Sequence, residues 1–208
     1  GEIDILSRNT TATLTRDVKL GLTFLGINYY DGQGFLIPKA LGVSSATELD
    51  GATVCVEPGT TTELNLADYF RAKGMSFEPV VIENINEATA AFFSGRCDVY
   101  TTDASGLASI RTTMAPNPDD YVILPEIISK EPLGPAVAQG DEQWADIGRW
   151  ALAAMIEAEE YGVTSANVDE MKSSTNPGIQ RLLGVSPGMG EALGLDEEWA
   201  YRIIKQVG

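Results

Sequence analysis

Between positions 52 and 101 the sequence alternates short apolar runs with amphipathic stretches, and no other feature restricts the fold as much. Ala52-Thr-Val-Cys-Val56 is apolar and β-branched, as a buried strand should be, and Pro58-Gly59 stops it. A helical pattern over 62–73 follows, with Thr60, Thr61 and Thr62 as hydroxyl caps and Gly74 to close it. Strand 77–82, helix 87–94 and strand 97–101 continue the series, and helix 104–113 and strand 121–124 complete it. Such βαβαβ alternation predicts an α/β fold, a parallel sheet with helices on both faces.

Composition narrows what such a fold can do. A chain of 208 residues with 44% hydrophobic content can bury one or two ordinary cores. Its net charge of -16 argues against nucleic acid or an anionic membrane surface as partner, because the long-range field repels both. Histidine is absent, which removes the Ser-His-Asp triad, the Cys-His dyad and His-type zinc sites. Cys55 and Cys97 are too few for a structural zinc site, so they are either a disulfide or two buried thiols. No cofactor is expected. The chain contains no apolar run long enough to span a bilayer and does not start with a signal-peptide pattern.

Two segments divide the chain. Phe35-Leu-Ile-Pro38 reads as an extended crossover, and the breaker-rich Lys130-Glu-Pro-Leu-Gly-Pro135 as a second. Two crossings imply two lobes, the first made of 1–34 and 134–208, the second of 35–133. The tail reads as helices over 144–160, 165–172, 177–183 and 197–207, the first with Trp144, Ile147, Ala151, Ala154 and Met155 on one stripe. The tryptophans read as core residues.

The opening run Gly1-Glu-Ile-Asp-Ile-Leu-Ser-Arg-Asn-Thr10 has a gapless echo in Gly95-Arg-Cys-Asp-Val-Tyr-Thr-Thr-Asp-Ala104. In the second copy the glycine ends a helix and a strand follows. By analogy Gly1 closes a helix and 3–6 is a strand, so the first lobe is expected to be incomplete at its N-terminus. An uncovered sheet edge then implies a longer natural chain or a homo-oligomer that supplies the cover.

Three separate features suggest one chemistry. Asn9-Thr-Thr-Ala-Thr-Leu-Thr-Arg16 offers hydroxyls and a guanidinium for a planar carboxylate. Gly59-Thr60-Thr61 opens a helix whose N–H groups and dipole suit an anion. Asp103, just past strand 97–101, is an acceptor suited to an ammonium. Together they describe a site for an α-amino acid. The simpler readings are a solvated Arg16, an ordinary strand-to-helix turn, and Asp103 as a helix cap.

These residues carry a family resemblance. Asp4-Ile-Leu-Ser-Arg-Asn-Thr-Thr11, Asn28-Tyr-Tyr-Asp-Gly-Gln-Gly34, Cys55-Val-Glu-Pro-Gly-Thr-Thr-Thr-Glu-Leu-Asn-Leu66, Gly95-Arg-Cys-Asp-Val-Tyr-Thr-Thr-Asp103 and Ser129-Lys-Glu-Pro-Leu-Gly-Pro135 are its motifs. In them the chain resembles the periplasmic substrate-binding proteins of polar amino-acid ABC transporters (extracellular solute-binding protein family 3), and more closely the general L-amino-acid-binding branch. The resemblance implies a two-lobed type II clamp that holds an L-amino acid and delivers it to a membrane permease, closing by hinge motion near 32–37 and 132–137. It implies a binding protein, not an enzyme.

In such proteins a Thr-x-Thr-x-x-Arg run binds the α-carboxylate. The similar run here is Thr11, Thr13 and Arg16, with Asn9 nearby. Gly59, Thr60 and Thr61 complete that pocket, and Asp103 matches the ammonium-binding carboxylate. Tyr29, Tyr30 and Gln33 are candidates for contact with the ligand's side chain. Members carry two strands and two helices before the segment matching Gly1. The other classes are a sensory or truncated amino-acid-binding domain, and a dehydratase on the same fold. In the doubly wound order 2-1-3 the strands of Cys55 and Cys97 are neighbours, and an oxidising periplasm favours their bond over two buried thiols.

Overall fold

The structure, a computed structural model, describes residues 2–208. In chain order the first elements are β1 (Leu22–Phe24), β2 (Tyr29–Asp31), β3 (Gln33–Pro38), β4 (Ala52–Val56), α1 (Thr61–Lys73) and β5 (Phe77–Val81). Then come α2 (Ile85–Phe93), β6 (Val99–Asp103), α3 (Ala104–Thr113), β7 (Tyr121–Ile123), β8 (Glu131–Leu133) and β9 (Ala136–Ala138). The tail carries α4 (Glu142–Glu160), α5 (Val168–Met171), α6 (Pro177–Leu182), α7 (Met189–Leu193) and α8 (Trp199–Val207). Internal contacts divide these residues into two units: Tyr29–Leu133, and the residues up to Asn28 together with Gly134–Gly208.

The unit Tyr29–Leu133 is built on a five-stranded sheet of order β5-β4-β6-β3-β7. Parallel pairing of β4 with both β5 and β6 gives the expected 2-1-3 order of the βαβαβ series. Pro79, which cannot donate to a ladder, sits on the edge strand β5, where that loss is tolerated. Side chains along the central strands alternate between two cores. Phe35, Ile37, Val54, Val56 and Val99 pack with Leu66 and Phe70 of α1. On the other face Leu36, Cys55 and Tyr100 pack with Phe92 of α2 and with Leu107 and Ile110 of α3. Helices on both faces explain why these strands bury consecutive residues, such as Phe35, Leu36 and Ile37, rather than alternate ones.

Two expectations need correction. The stretch 35–38 is not a crossover but most of β3, inserted between β6 and β7 and antiparallel to each. The sheet is therefore mixed. A fully buried strand has the same apolar pattern whichever way it runs, and only the pairing Phe35↔Thr101 and Ile37↔Val122 reveals its direction. The third βαβ strand also begins at Val99 rather than at Cys97, which lies just ahead of it. Even so, Cys97 reaches Cys55 across the β4·β6 pair and the two form a disulfide, with Cα atoms 5.7 Å apart.

The other unit pairs β1 with β9, from Leu22↔Ala138 to Phe24↔Ala136. Where a strand over 3–6 was expected, Leu6 makes only an isolated bridge to Ala136. Ile3 and Ile5 beside it are exposed, so no buried face holds a longer strand in register. The helix expected to end at Gly1 lies outside the described residues. The tail helices enclose a core of Ala154, Val168, Ile179, Leu183, Trp199 and Ile204.

Helix α4 is capped by Asp141 and buries Ala145, Ala154 and Ala158. Gly148 admits Leu25 so closely that a Cβ would stand 2.5 Å from its Cδ1. The expected stripe shares only Ala154 with this face, and Trp144 and Trp150 are exposed, so the core reading holds for Trp199 alone. The short helix α7 was not expected; Gly194, in the left-handed region, ends it.

Candidate functional site

Each unit contributes one set of candidate residues. In the first set the segment 11–16 organises itself. The Thr13 hydroxyl accepts the Arg16 backbone N–H at 3.2 Å, and a π-type turn runs from Thr15 to Lys19. Arg16 folds back over this turn, its Nη1 donating to the Thr11 carbonyl at 2.9 Å. Thr11, Thr13 and Arg16 are thereby brought together, with Thr11 buried, while Asn9 stays exposed. Among the described residues no ion pair engages Arg16. A guanidinium anchored through one N–H to a backbone carbonyl keeps donors for a planar anion.

The second set stands where β4 and β6, parallel neighbours, each end in a helix. At the end of β4, Thr60 is the N-cap of α1. Its hydroxyl accepts the Glu63 N–H at 3.1 Å and donates to the Glu57 carbonyl at 2.8 Å. The helix therefore starts at Thr61. The Gly59 N–H, expected to face an anion, donates to the Glu63 carboxylate at 2.7 Å. This is the reciprocal arrangement of a capping box shifted by one residue. Gly59 holds a φ of 68°, which favours glycine there.

Asp103 is the last residue of β6 and the N-cap of α3, yet its side chain makes no capping hydrogen bond. It is 3% exposed. The capping is done from elsewhere: the Asp31 carboxylate accepts the Ser105 N–H at 3.3 Å and the Ser105 hydroxyl. Gln33, directly opposite Asp103 in the β3·β6 register, is fully buried. Its Nε2 donates to the Thr62 carbonyl and to the Thr101 hydroxyl, each at 2.9 Å, so one side chain spans the start of α1 and the end of β6. Tyr30 is 78% exposed on β2.

The surroundings of the second set are acidic. Burial, and then the charge of Glu57, raises the Tyr100 hydroxyl above the usual tyrosine range, so it stays protonated and donates to Glu57. Glu131 accepts from the Thr61 hydroxyl at 3.0 Å and from Asn65 Nδ2 at 2.7 Å. A set rich in carboxylates suits a cationic group, and the Arg16 set an anionic one. Sequence reasoning did not single out Asp31, Glu131 or Glu63 for any role. Only Glu63 left a readable signal, as the acid three residues after an N-cap threonine.

No protein-family model matches the chain. Among characterised proteins it is 60% identical over 210 residues to the general L-amino acid-binding periplasmic protein AapJ of Rhizobium johnstonii, with 100% of this chain and 61% of that protein covered. It is 58% identical over 209 residues to the glutamate/glutamine/aspartate/asparagine-binding protein BztA of Rhodobacter capsulatus, with 100% and 62% covered. A solved ABC-transporter periplasmic binding protein from Brucella ovis with glutathione bound superposes with a TM-score of 0.95 at 59% identity, covering 100% of this chain and 66% of that one. The chain thus spans less than two thirds of the length of the relatives it matches. Over all of its own length the chain is similar to part of these periplasmic and amino-acid-binding proteins.

Proposed function

We propose that this chain is the part of a receptor that binds L-α-amino acids and passes them to the permease of an ABC transporter in the periplasm. Arg16, with Thr11, Thr13 and Asn9, takes the α-carboxylate; Asp103 takes the α-ammonium; the start of α1 at Gly59, Thr60 and Thr61 borders the ligand. Tyr30 contacts the ligand's side chain. The observation that carries this reading is Asp103, a nearly buried carboxylate at a helix start that its side chain does not cap. Burying a carboxylate there is costly, and a ligand's ammonium is a group that can offset that cost. The role we assign is binding rather than catalysis. The relatives named above are binding proteins as well.

Glutathione is a second ligand to consider, because a relative 59% identical to this chain was solved with it bound. Its γ-glutamyl end carries the same free ammonium and carboxylate as an amino acid, so the same residues would address it. Calorimetry on the full-length protein with a panel of L-amino acids and glutathione tests both. Arg16→Ala and Asp103→Asn should each weaken binding by about 3 kcal/mol, because each leaves a desolvated ligand charge unpaired. Wild-type affinity in either variant refutes its assignment.

A further inference from the structure

Two buried carboxylates have no part in the reading above. Asp31 ends β2, Glu131 begins β8, and the two stand directly opposite in the β2·β8 register. They are 9% and 1% exposed. The β2·β8 ribbon lies where the chain enters and leaves the unit Tyr29–Leu133. Adjacent buried carboxylates repel and are hard to desolvate, so a ribbon needing only stability would be better served by apolar side chains.

Their partners explain why they are there. Asp31 accepts the Gly32 N–H at 2.8 Å, the Ser105 N–H at 3.3 Å and the Ser105 hydroxyl, which caps α3 in place of Asp103. Glu131 accepts the Thr61 hydroxyl at 3.0 Å, Asn65 Nδ2 at 2.7 Å and the Ser129 hydroxyl at 2.5 Å. Each carboxylate therefore fastens the first turn of one helix to the ribbon. At that end of each helix the dipole favours a negative charge. The fastened turns are those that begin with Thr61 and follow Asp103.

We propose that Asp31 and Glu131 are positioning residues of the amino-acid site. Asp31 takes over the capping of α3, which the Asp103 side chain does not supply, and so fixes the helix start at which Asp103 stands. Glu131 accepts the Thr61 hydroxyl and so fixes the rotamer of that side chain at the first residue of α1. This inference rests on the functional reading given above.

The test is a double-mutant cycle on the full-length protein, read by calorimetry with the panel of L-amino acids. Glu131→Gln should weaken all amino acids by a similar factor of about ten, because it acts on the end common to them. In a Thr61→Val background the same change should have little further effect, since the two act as a unit. Unchanged affinity in Glu131→Gln overturns the inference, and so does an effect additive with Thr61→Val, which marks a merely structural role. Should Glu131→Gln fail to fold, Asp31→Asn gives the decision: about tenfold weaker binding supports the inference and wild-type affinity overturns it. A wild-type protein that binds no member of the panel overturns the functional reading itself, and this inference with it.

Discussion

Reducing the Cys55–Cys97 bond should destabilise the unit Tyr29–Leu133 by about 4 kcal/mol without changing its native fold. The bond closes a loop with a sequence separation of 42 that contains α1, β5 and α2. Opening a loop of that length in the unfolded chain restores closure entropy worth about 4 kcal/mol at 25 °C. The native state loses little in comparison. Both cysteines are almost fully buried among Leu36, Phe92, Tyr100 and Leu107, where a thiol packs as a small apolar group. Urea unfolding followed by far-UV circular dichroism, with and without reductant, measures the difference. Tryptophan fluorescence serves as the comparison, because Trp144, Trp150 and Trp199 all lie in the other unit. Thiol labelling of the unfolded sample confirms that reduction occurred. A stability change below about 1 kcal/mol in fully reduced protein refutes the argument, since loop entropy alone exceeds it.

Gly134→Ala should cost about 2–3 kcal/mol, because its Cβ would meet the Gly26 carbonyl oxygen at 1.9 Å, backbone against backbone; a denaturant midpoint equal to wild type contradicts this. Asp98 gives a pH-dependent contribution. Its carboxylate accepts the Thr53 hydroxyl at 2.6 Å and the Thr53 N–H at 2.9 Å, and these bonds hold its pKa below the ordinary 3.8. The unfolded state then binds the proton first, so the stabilisation is present above 3.8 and is lost as pH falls through the lower, folded value. Asp98→Asn should flatten the acid limb of the stability curve, and identical acid limbs in the two proteins rule the contribution out.

What the sequence determined by itself lies within a few residues along the chain. The strand at Ala52–Val56, its stop at Pro58-Gly59, the threonine caps and the Gly74 C-cap are local signals, and the elements form where those signals stand. The βαβαβ alternation carried the 2-1-3 strand order and, through it, the nearness of Cys55 to Cys97. Charge and the absence of histidine narrowed the chemistry, and residue type and spacing made the 11–16 run and Asp103 candidates for the site.

Tertiary structure decided whatever depends on partners far away in sequence. The direction of β3 is set by hydrogen bonding to β6, which its own apolar residues cannot encode. Leu6 shows the converse, since a strand-like run over 3–6 pairs at a single bridge where its neighbours find no burial. Asp103 stands at the N-cap of α3 but its side chain does not cap the helix, because Asp31, 74 residues from Ser105, supplies that hydrogen bond instead. Glu131, in a run read as a crossing and a family motif but given no role of its own, binds Thr61 across a separation of 70 residues. Side-chain hydrogen bonds of that range leave no periodicity in a sequence, so these carboxylates became visible only once the sheet had brought their donors to them.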